Sequence, residues 1–520
     1  MRPDERIRRN SQYLVKALNV EASPFGLISY NPVEHLDWDY LNTVGVELNF
    51  PYPQLFKGKK NNFLLTRDRI FILAEDGELL ELDVYDYDSG TITTIEPGML
   101  WSFTDFYDQF MFHNGVCSLW TMNLSSISGY PDRVYVEKGV RVNTGCAFRG
   151  RVIMAGFDPW HNYSEDWNTF MTTWAQAIPT QAATTYDLDF KENFVWWSSI
   201  GADDALMLFQ KALTETPYSN DGYDANRLRI FESIKKNSMG WMPMPYQGSI
   251  IATKELGGDI AVYGEQGVSF LRPSGHLFGL VEAGDLSHTG IASHGAVGGD
   301  DKVHLAIDQT GVAWLIESGA KVTRIGYEEY LGDIVNSNVV VSYTATGRGQ
   351  RSGTFHISNG YRTFVLNSNG LTETSQVVTS KIYMSDGYVR GIAHDINSDI
   401  DQTAEITTSN ISINNERAIN TITWVEVESN NVSFSDMYVK LYYRVQGKAY
   451  DANRWDETSW QVLNWKGASF FGISAIEFRL GFKCEDFSKF NAETIVFRYQ
   501  TPDRTTKRGT TPISIGGSQQ

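Results

Sequence analysis

Oxygen-bearing side chains recur at every second position of one short stretch, a spacing that suits the ligands of a hard cation. The stretch contains Asp395, Asn397, Asp399 and Asp401. A calcium loop also needs a glycine at its sixth position and a glutamate at its twelfth. Here these positions hold Ile400 and Ile406, with Glu405 one residue early. We interpret the stretch as a polar linker, with a bound metal ion as the alternative.

Two pairs of adjacent carboxylates have the residue type for general acid–base catalysis, which requires two such groups buried close together. They are Asp300-Asp301 and Glu328-Glu329. The first pair follows Gly298-Gly299 and the second comes soon after Gly326. Because glycine supplies the backbone conformations of turns, we interpret both pairs as solvated turn residues.

Histidines and catalytic motifs do not assemble an active site in this sequence. His288, His294 and His304 are close along the chain, but the strand pattern puts His304 and His294 on different strands. No phosphate-binding loop, zinc-protease, C-x-x-C or nucleophile-elbow motif occurs. The repeated S-x-D-x-G-x-T-W box of sialidase-like propellers is missing as well. We predict a protein that is not an enzyme and needs no cofactor.

Charge and composition limit the class of partner. The 520 residues include 44 basic and 62 acidic side chains, for a formal net charge of −18. Tight sequence-independent binding to DNA needs basic patches that release counterions, so this balance argues against it, and it is compatible with an acidic passage through which DNA slides. Cys117, Cys146 and Cys484 are scattered and odd in number, which indicates reduced, buried thiols. The sequence suggests neither a signal peptide nor a membrane span.

A hairpin unit recurs along the middle of the chain: an apolar strand, a tight turn and a second apolar strand. The copies begin at Arg69, Gln109, Arg151, Asp259, Lys302 and Thr354. Most steps lie near the roughly 40–50 residues of a propeller blade. The five complete copies have a turn glycine, at Gly77, Gly115, Gly267, Gly311 and Gly360. The pattern predicts an all-β fold with an irregular six-bladed β-propeller, or seven blades if the long step holds another. A β-sandwich with evenly spaced hairpins is the alternative.

Four segments surround or interrupt this repeat. Residues 1–19 have helical spacing and predict an N-terminal helical arm, followed by the propeller over 20–395. An insertion at about 158–250 is rich in tryptophan and predicts two helices, near 203–213 and after Asp224. Alternating strands over 396–501 predict a C-terminal β-sandwich, and 502–520 has the composition of a tail.

Several phrases resemble the tail hub or nozzle proteins of short-tailed bacteriophages. The central ones are Gly258-DIAVYGEQGVSFLRPSG, His288-TGIASHG and Val303-HLAIDQTGVAWLIESGAKVTRI. Others are Phe148-RGRVIMAGF, Asn193-FVWWSSIG, Val425-EVES and Ile476-EFRLGFK. The resemblance spans about 140–500 and rests on short, mostly apolar phrases.

The resemblance implies a structural virion protein, made in the host cytoplasm and located in the phage tail. Such proteins form homo-oligomers, commonly hexameric rings, below the portal and adaptor proteins. They extend the DNA channel, retain and release the genome, and dock tail fibres or a spike. The alternative is a carbohydrate-recognising receptor-binding tail protein or a glycan-active propeller. As contacts between copies or with partners we expect Ile7, Leu14, Leu18, Trp160, Trp167, Trp196 and Trp197.

Overall fold

The computed structural model divides into two compact units, which are described separately. The propeller unit comprises Glu34–Gly347 and Thr379–Ile392, and the sandwich unit comprises Met1–Val33, Arg348–Val378 and Ala393–Gln520. The structure describes residues 14–512 apart from 25, 37–44, 75–76, 87–88, 107–108, 122–133, 138–140, 161–190, 199–239, 275–276, 336–337, 346–352, 385–388, 396–402, 413–418, 429–435, 446–454, 465–466 and 502–505.

Five antiparallel sheets of the propeller unit each contain four strands in chain order. The first sheet contains β5 (Gln54–Lys57), β6 (Asn62–Leu65), β7 (Ile70–Leu73) and β8 (Leu79–Glu81). The second contains β10 (Ser102–Phe106), β11 (Gln109–His113), β12 (Ser118–Thr121) and β13 (Val134–Glu137). An additional strand, β9 (Val84–Asp86), pairs in parallel with β13. The third is β14 (Val142–Phe148), β15 (Arg151–Phe157), β16 (Phe194–Trp197) and β17 (Gly240–Pro243). The fourth and fifth are β18 (Ile250–Leu256), β19 (Asp259–Gly264), β20 (Val268–Ser274) and β21 (Leu277–Glu282), then β22 (Val297–Gly299), β23 (Val303–Ile307), β24 (Ala313–Glu317) and β25 (Lys321–Gly326).

Two further strand sets complete this unit. Strand β26 (Val340–Thr344) contacts β22. A three-stranded sheet joins β30 (Gln376–Tyr383), β31 (Val389–Asp395) and β4 (Glu34–His35). The short helix α1 (Glu328–Leu331) and a 3₁₀ turn (Gly284–His288) are its described helical elements.

Among the described residues, seven innermost strands surround one cavity, which indicates seven blades: β5, β10, β14, β18, β22, β26 and β30. The seventh does not come from the insertion, as the alternative of seven blades supposed. It comes from β30 and β31, closed by β4 from near the start of the chain. The insertion instead supplies β16 and β17, the outer strands of the third blade. The helices expected near 203–213 and after Asp224 lie outside the described residues.

The five complete hairpins are present as antiparallel strand pairs, and β15, the incomplete copy at Arg151, pairs with β16 from the insertion. Four of the five turn glycines have positive φ, for example Gly77 at 93° and Gly311 at 85°. Gly267 is the exception, and close packing explains the glycine at this position. A Cβ at this position would lie 2.6 Å from the Tyr246 ring and 2.7 Å from the Ser287 carbonyl oxygen. This close approach leaves no space for a side chain.

The sandwich unit contains three sheets. One runs in the order β27 (Thr354–Ser358), β28 (Thr363–Asn367), β29 (Gly370–Thr374), β1 (Leu14–Leu18), β32 (Ala404–Thr408), β39 (Glu477–Cys484), β35 (Met437–Arg444) and β36 (Asp456–Glu457), with β33 (Ile411–Ser412) on β39 and β37 (Gln461–Val462) on β35. The second is β38 (Ala468–Ala475), β34 (Asn420–Glu428), β41 (Thr494–Gln500) and β42 (Thr506–Pro512). The third is β2 (Val20–Ser23), β3 (Gly26–Ser29) and β40 (Asn491–Ala492), near a 3₁₀ turn (Phe487–Lys489).

One shared core joins these sheets into a sandwich. In β35 and β34 buried and less buried residues alternate, as a sheet with one face in the core requires. Leu480 and Phe482 of β39 and Val425 of β34 belong to the same buried cluster. Full burial of each such side chain contributes about 1.5–3 kcal/mol.

Two predicted segments have a different structure. Leu14–Leu18, expected to be helical, is strand β1, antiparallel to β32 and parallel to β29. The segment forms a strand despite its helical spacing, because β29 and β32 provide backbone hydrogen-bond partners on its two sides. Residues 1–13 lie outside the described part. In the expected tail, Thr506–Pro512 is strand β42, paired along its length with β41.

The position of β32 in the sandwich predicts that substitutions at two neighbouring residues of this strand lower the free energy of unfolding by different amounts. Ile406 is fully buried in the core, whereas Glu405 forms a surface ion pair with Lys16 at 2.7 Å. Replacement Ile406→Ala should cost about 2–5 kcal/mol of unfolding free energy. The control Glu405→Gln should cost under about 1 kcal/mol. Urea unfolding followed by circular dichroism measures both, and equal losses would contradict the assigned faces of β32.

Candidate functional site

The innermost strands of the propeller enclose a cavity of about 550 Å³. We call it the central cavity. Its wall consists of residues within seven stretches: 54–57, 101–105, 144–146, 252–255, 294–304, 340–343 and 379–381. All seven belong to the propeller unit. Small-molecule sites commonly have volumes of about 300–1,000 Å³, so the central cavity has the size of a ligand site.

Small polar side chains connect neighbouring innermost strands around this cavity. Gln54 Nε2 donates to the Trp101 carbonyl oxygen at 3.3 Å, and the Trp101 N–H donates to Gln54 Oε1 at 2.5 Å. The Gly145 N–H donates to Ser102 Oγ at 3.1 Å. The Leu55 N–H donates to Ser380 Oγ at 2.9 Å, connecting the first and seventh blades. These bonds give partners to backbone groups at strand edges.

The same kind of connection joins the third blade to the fourth, the fourth to the fifth, and the fifth to β26. The Thr253 N–H donates to Thr144 Oγ1 at 3.0 Å. Backbone bonds then join Gly257 N–H to the Asp301 carbonyl oxygen at 2.6 Å, and Val341 N–H to that of Gly295 at 2.8 Å. We call this series of bonds between adjacent innermost strands the inner ring.

Contacts between adjacent innermost strands show that these strands run in the same direction. Gln54 contacts Trp101, and further along the chain the Lys59 N–H donates to Asp105, so the residue numbers increase in the same direction on both strands. Leu55 contacts Ser380, and Lys57 then donates to the Tyr383 carbonyl oxygen. The C-terminal ends of these strands therefore lie at one mouth of the central cavity.

Carboxylates collect at that mouth. Asp105 and Glu255 come near the ends of β10 and β18, and Asp300 and Asp301 follow β22. Burial raises the pKa of Glu255, and the Asp301 charge raises it further, which shows that these two carboxylates are neighbours. Asp300 accepts from the Lys302 and Val303 N–H groups at 2.9 and 3.0 Å, so it is the turn residue that the sequence predicts.

Groups deeper in the cavity wall are neutral or weakly basic. Burial lowers the pKa of His294 to about 4 and that of His304 to about 3, so both rings are neutral near pH 7. His294 Nε2 contacts the Asn143 carbonyl oxygen at 3.0 Å, and His304 Nδ1 contacts the Tyr263 hydroxyl at 2.8 Å. Both histidines therefore have a structural role, as hydrogen-bonded groups of the propeller, and the two lie on different chain segments as the strand pattern predicts.

Lys254 and Cys146 also line the cavity. Burial lowers the pKa of the Lys254 ammonium, and the neighbouring Cys146 raises it slightly. Burial raises the pKa of the Cys146 thiol to about 12, so this thiol is unreactive at neutral pH. Sequence reasoning missed these lining residues. The available signal was a small hydroxyl side chain in the first strand of three blades: Ser102, Thr144 and Thr253.

The predicted contact residues fall into three groups: buried, half-buried or exposed, and outside the described residues. Leu14, Trp196 and Trp197 are buried within the chain at 8%, 1% and 3% exposure, so they do not form an external interface. The apolar surfaces of these three side chains pack against other residues of their own unit. Leu18 is half-buried, and Trp160 is 93% exposed. Ile7 and Trp167 lie outside the described residues.

The candidate metal ligands are mostly outside the described part of the chain. Asp395 ends β31, whereas Asn397, Asp399 and Asp401 are not described. Within the described ranges, His, Cys, Asp and Glu side chains nowhere gather in groups of three or more that could hold a metal ion. The helices described are all too short or too polar to cross a membrane.

Comparisons with known proteins add the following. No protein-family profile matches the chain, and no curated protein matches it. Among solved structures, the Neurospora crassa Pan2 WD40 domain is 10% identical, with a TM-score of 0.32, covering 77% of this chain and 94% of that one. The WD40 β-propeller domain of Doa1 is 8% identical, with a TM-score of 0.33, covering 68% of this chain and 89% of that one. Apo AztD from Citrobacter koseri is 8% identical, with a TM-score of 0.30, covering 81% and 89%. Likeness at this level carries no statement about function.

The neutral histidines predict a specific acid sensitivity. His304 has an ordinary pKa of 6.5 when exposed and about 3 in the fold, so the folded state binds fewer protons. Stability present above pH 6.5 is therefore lost as the pH falls toward 3. Replacement His304→Asn should reduce this slope by up to about 1.4 kcal/mol per pH unit.

Urea unfolding at several pH values between 7 and 4 measures this slope. The exposed His288→Asn is the matched control and should keep the wild-type slope. An unchanged slope in His304→Asn would show that this histidine is not held neutral by burial.

Proposed function

We propose that the chain is a structural subunit of the tail hub or nozzle ring of a short-tailed bacteriophage, and not an enzyme. In this role copies assemble into a ring, commonly hexameric, below the portal and adaptor. The ring extends the DNA channel, retains and releases the genome, and docks fibres or a spike. The proposal rests on the phage-tail resemblance together with the architecture of the two units.

The observation that carries it is where the resembling phrases lie. The phrase that begins at Gly258 forms β19 and β20, and the one that begins at Val303 forms β23 to β25. The phrases at Val425 and Ile476 fall in β34 and β39, which meet in the sandwich core. The phrases thus supply blades first and sandwich strands after them, and the resembling phage proteins have the same layout, a propeller of irregular blades followed by a β-sandwich.

Charge and size bear on where DNA would pass. A net charge of −18 repels phosphate and favours sliding without adhesion. The central cavity, at about 550 Å³, has the size of a small-molecule site. In this proposal the DNA passage therefore lies between copies in the ring and not along the propeller axis.

Trp160 is the best remaining contact residue. Its side chain is 93% exposed at the start of the insertion. Its backbone is fixed, because the Trp160 N–H donates to Asp158 Oδ1 at 3.0 Å and Asp158 pairs with Arg141 at 3.5 Å. A large aromatic presented on a fixed backbone is typical of residues that dominate an interface.

The proposal predicts ring assembly that depends on Trp160. Light scattering and electron microscopy of the purified chain, alone and with tail proteins, should show a six-fold ring. Replacement Trp160→Ala should weaken assembly by about tenfold or more, since such residues contribute about 2 kcal/mol. Tyr361→Ala, which removes another exposed ring, is the matched control. A chain that stays monomeric under all these conditions would contradict the proposal.

A second candidate function is carbohydrate recognition by the sandwich unit. The Tyr442 and Trp460 rings lie over Gly481, where a Cβ would be 3.0 and 3.4 Å from them. Lys440 Nζ lies 5.5 and 5.1 Å from these two ring centroids and pairs with Glu457 at 3.2 Å. Rings beside charged hydrogen-bonding groups suit a sugar, whose apolar face stacks and whose hydroxyls bond.

Glycan arrays test this second candidate. It predicts binding that Trp460→Ala abolishes and Trp160→Ala preserves. The hub proposal alone predicts no saturable glycan binding by this face. An array signal that survives Trp460→Ala would contradict the assignment of the sugar site to these rings.

A further inference from the structure

Lys254 is a cation in the wall of the central cavity that has no hydrogen-bond or ion-pair partner among the described residues. The cavity's other cations differ in this respect. Lys57 Nζ donates to the Tyr383 carbonyl oxygen at 2.8 Å and lies 4.9 Å from the Tyr383 ring centroid. Lys381 also has a partner. Lys254 is half-buried, and the charge of an ammonium without an ion-pair partner can be balanced by an anion that enters the cavity.

None of the four mouth carboxylates, Asp105, Glu255, Asp300 and Asp301, forms an ion pair with Lys254. Asp105 accepts from the Lys59 N–H at 2.6 Å, and Asp300 accepts from two N–H groups of its own turn. Glu255 follows Lys254 directly in β18, so the two side chains point to opposite sides of the strand. Glu255 instead has Arg149 and Lys59 as nearby cations.

A second group of the same cavity also lacks a partner. Ser342 lines the cavity from β26, and its Oγ is buried without a hydrogen bond among the described residues. Buried hydroxyls without a partner are uncommon in folded proteins, and each calls for an explanation.

We propose that the central cavity is a binding site for a small oxyanion, a phosphate or carboxylate group, held by the Lys254 ammonium with the Ser342 hydroxyl as a further donor. The cavity volume of about 550 Å³ accommodates either a free anion or a small organic molecule that carries one. Cys146, His294 and His304 interact electrostatically with the ammonium and remain uncharged near pH 7.

Isothermal titration of the full chain with sodium phosphate or sodium citrate, at matched ionic strength in chloride, tests the proposal. We expect one site per chain. Lys254→Met should weaken binding by about tenfold or more, the loss typical of one charge-assisted contact. Lys254→Arg should retain most of the affinity, and Ser342→Ala should weaken binding less than Lys254→Met. Saturation by phosphate but not citrate identifies a free anion, and the reverse identifies an organic carboxylate.

A surface lysine near the same mouth provides the matched control. Lys302 is exposed, so Lys302→Met should change the affinity by less than about twofold. Chemical labelling of the wild-type chain gives a readout that needs no variant to fold. Phosphate or citrate should slow reductive methylation of Lys254 relative to Lys302, as measured by mass spectrometry. Absence of saturable binding at millimolar anion, or equal binding by wild type and Lys254→Met, would overturn the proposal.

Discussion

Closure of the propeller depends on one requirement: backbone groups at the inner edge of each innermost strand need partners. A sheet edge exposes unpaired N–H and C=O groups, which are costly when buried. In this protein the inner ring supplies many of those partners, through Ser102, Thr144 and Ser380. Each bond joins a blade to its neighbour, so the same contacts that satisfy the edges also set the order and direction of the strands.

This requirement explains why the axis is polar although the space between blades is apolar. Phe63 and Phe112, with ring centroids 5.4 Å apart, pack between the first two blades and exclude water. The axis cannot be filled in that way, because side chains there would compete with the edge bonds. A cavity remains, with carboxylates at one mouth and, in its wall, Lys254, which has no partner among the described residues. The structural role we propose uses the outer surface of the chain and leaves this cavity for a separate ligand.

The sequence predicted the parts of the fold that have strong local signals. The hairpin repeat and the turn glycines, such as Gly77 and Gly311, follow from strand periodicity and from backbone conformations that favour glycine. Strand β4 has only two residues and pairs with β31, which is far away in the sequence, so no local sequence pattern predicts the seventh blade. Leu14–Leu18 is a strand because of partners distant in sequence. Tryptophan content alone could not separate exposed Trp160 from buried Trp196, since both lie in the same aromatic segment.

Amide hydrogen exchange of the innermost strands tests the central claim most directly. If the inner ring closes the propeller, the N–H groups of Leu55, Gly145 and Thr253 should exchange only through global unfolding, although each belongs to an edge strand. Exchange at these three positions as fast as in exposed turns, while the middle strands stay protected, would show that the innermost strands are open and would contradict the account.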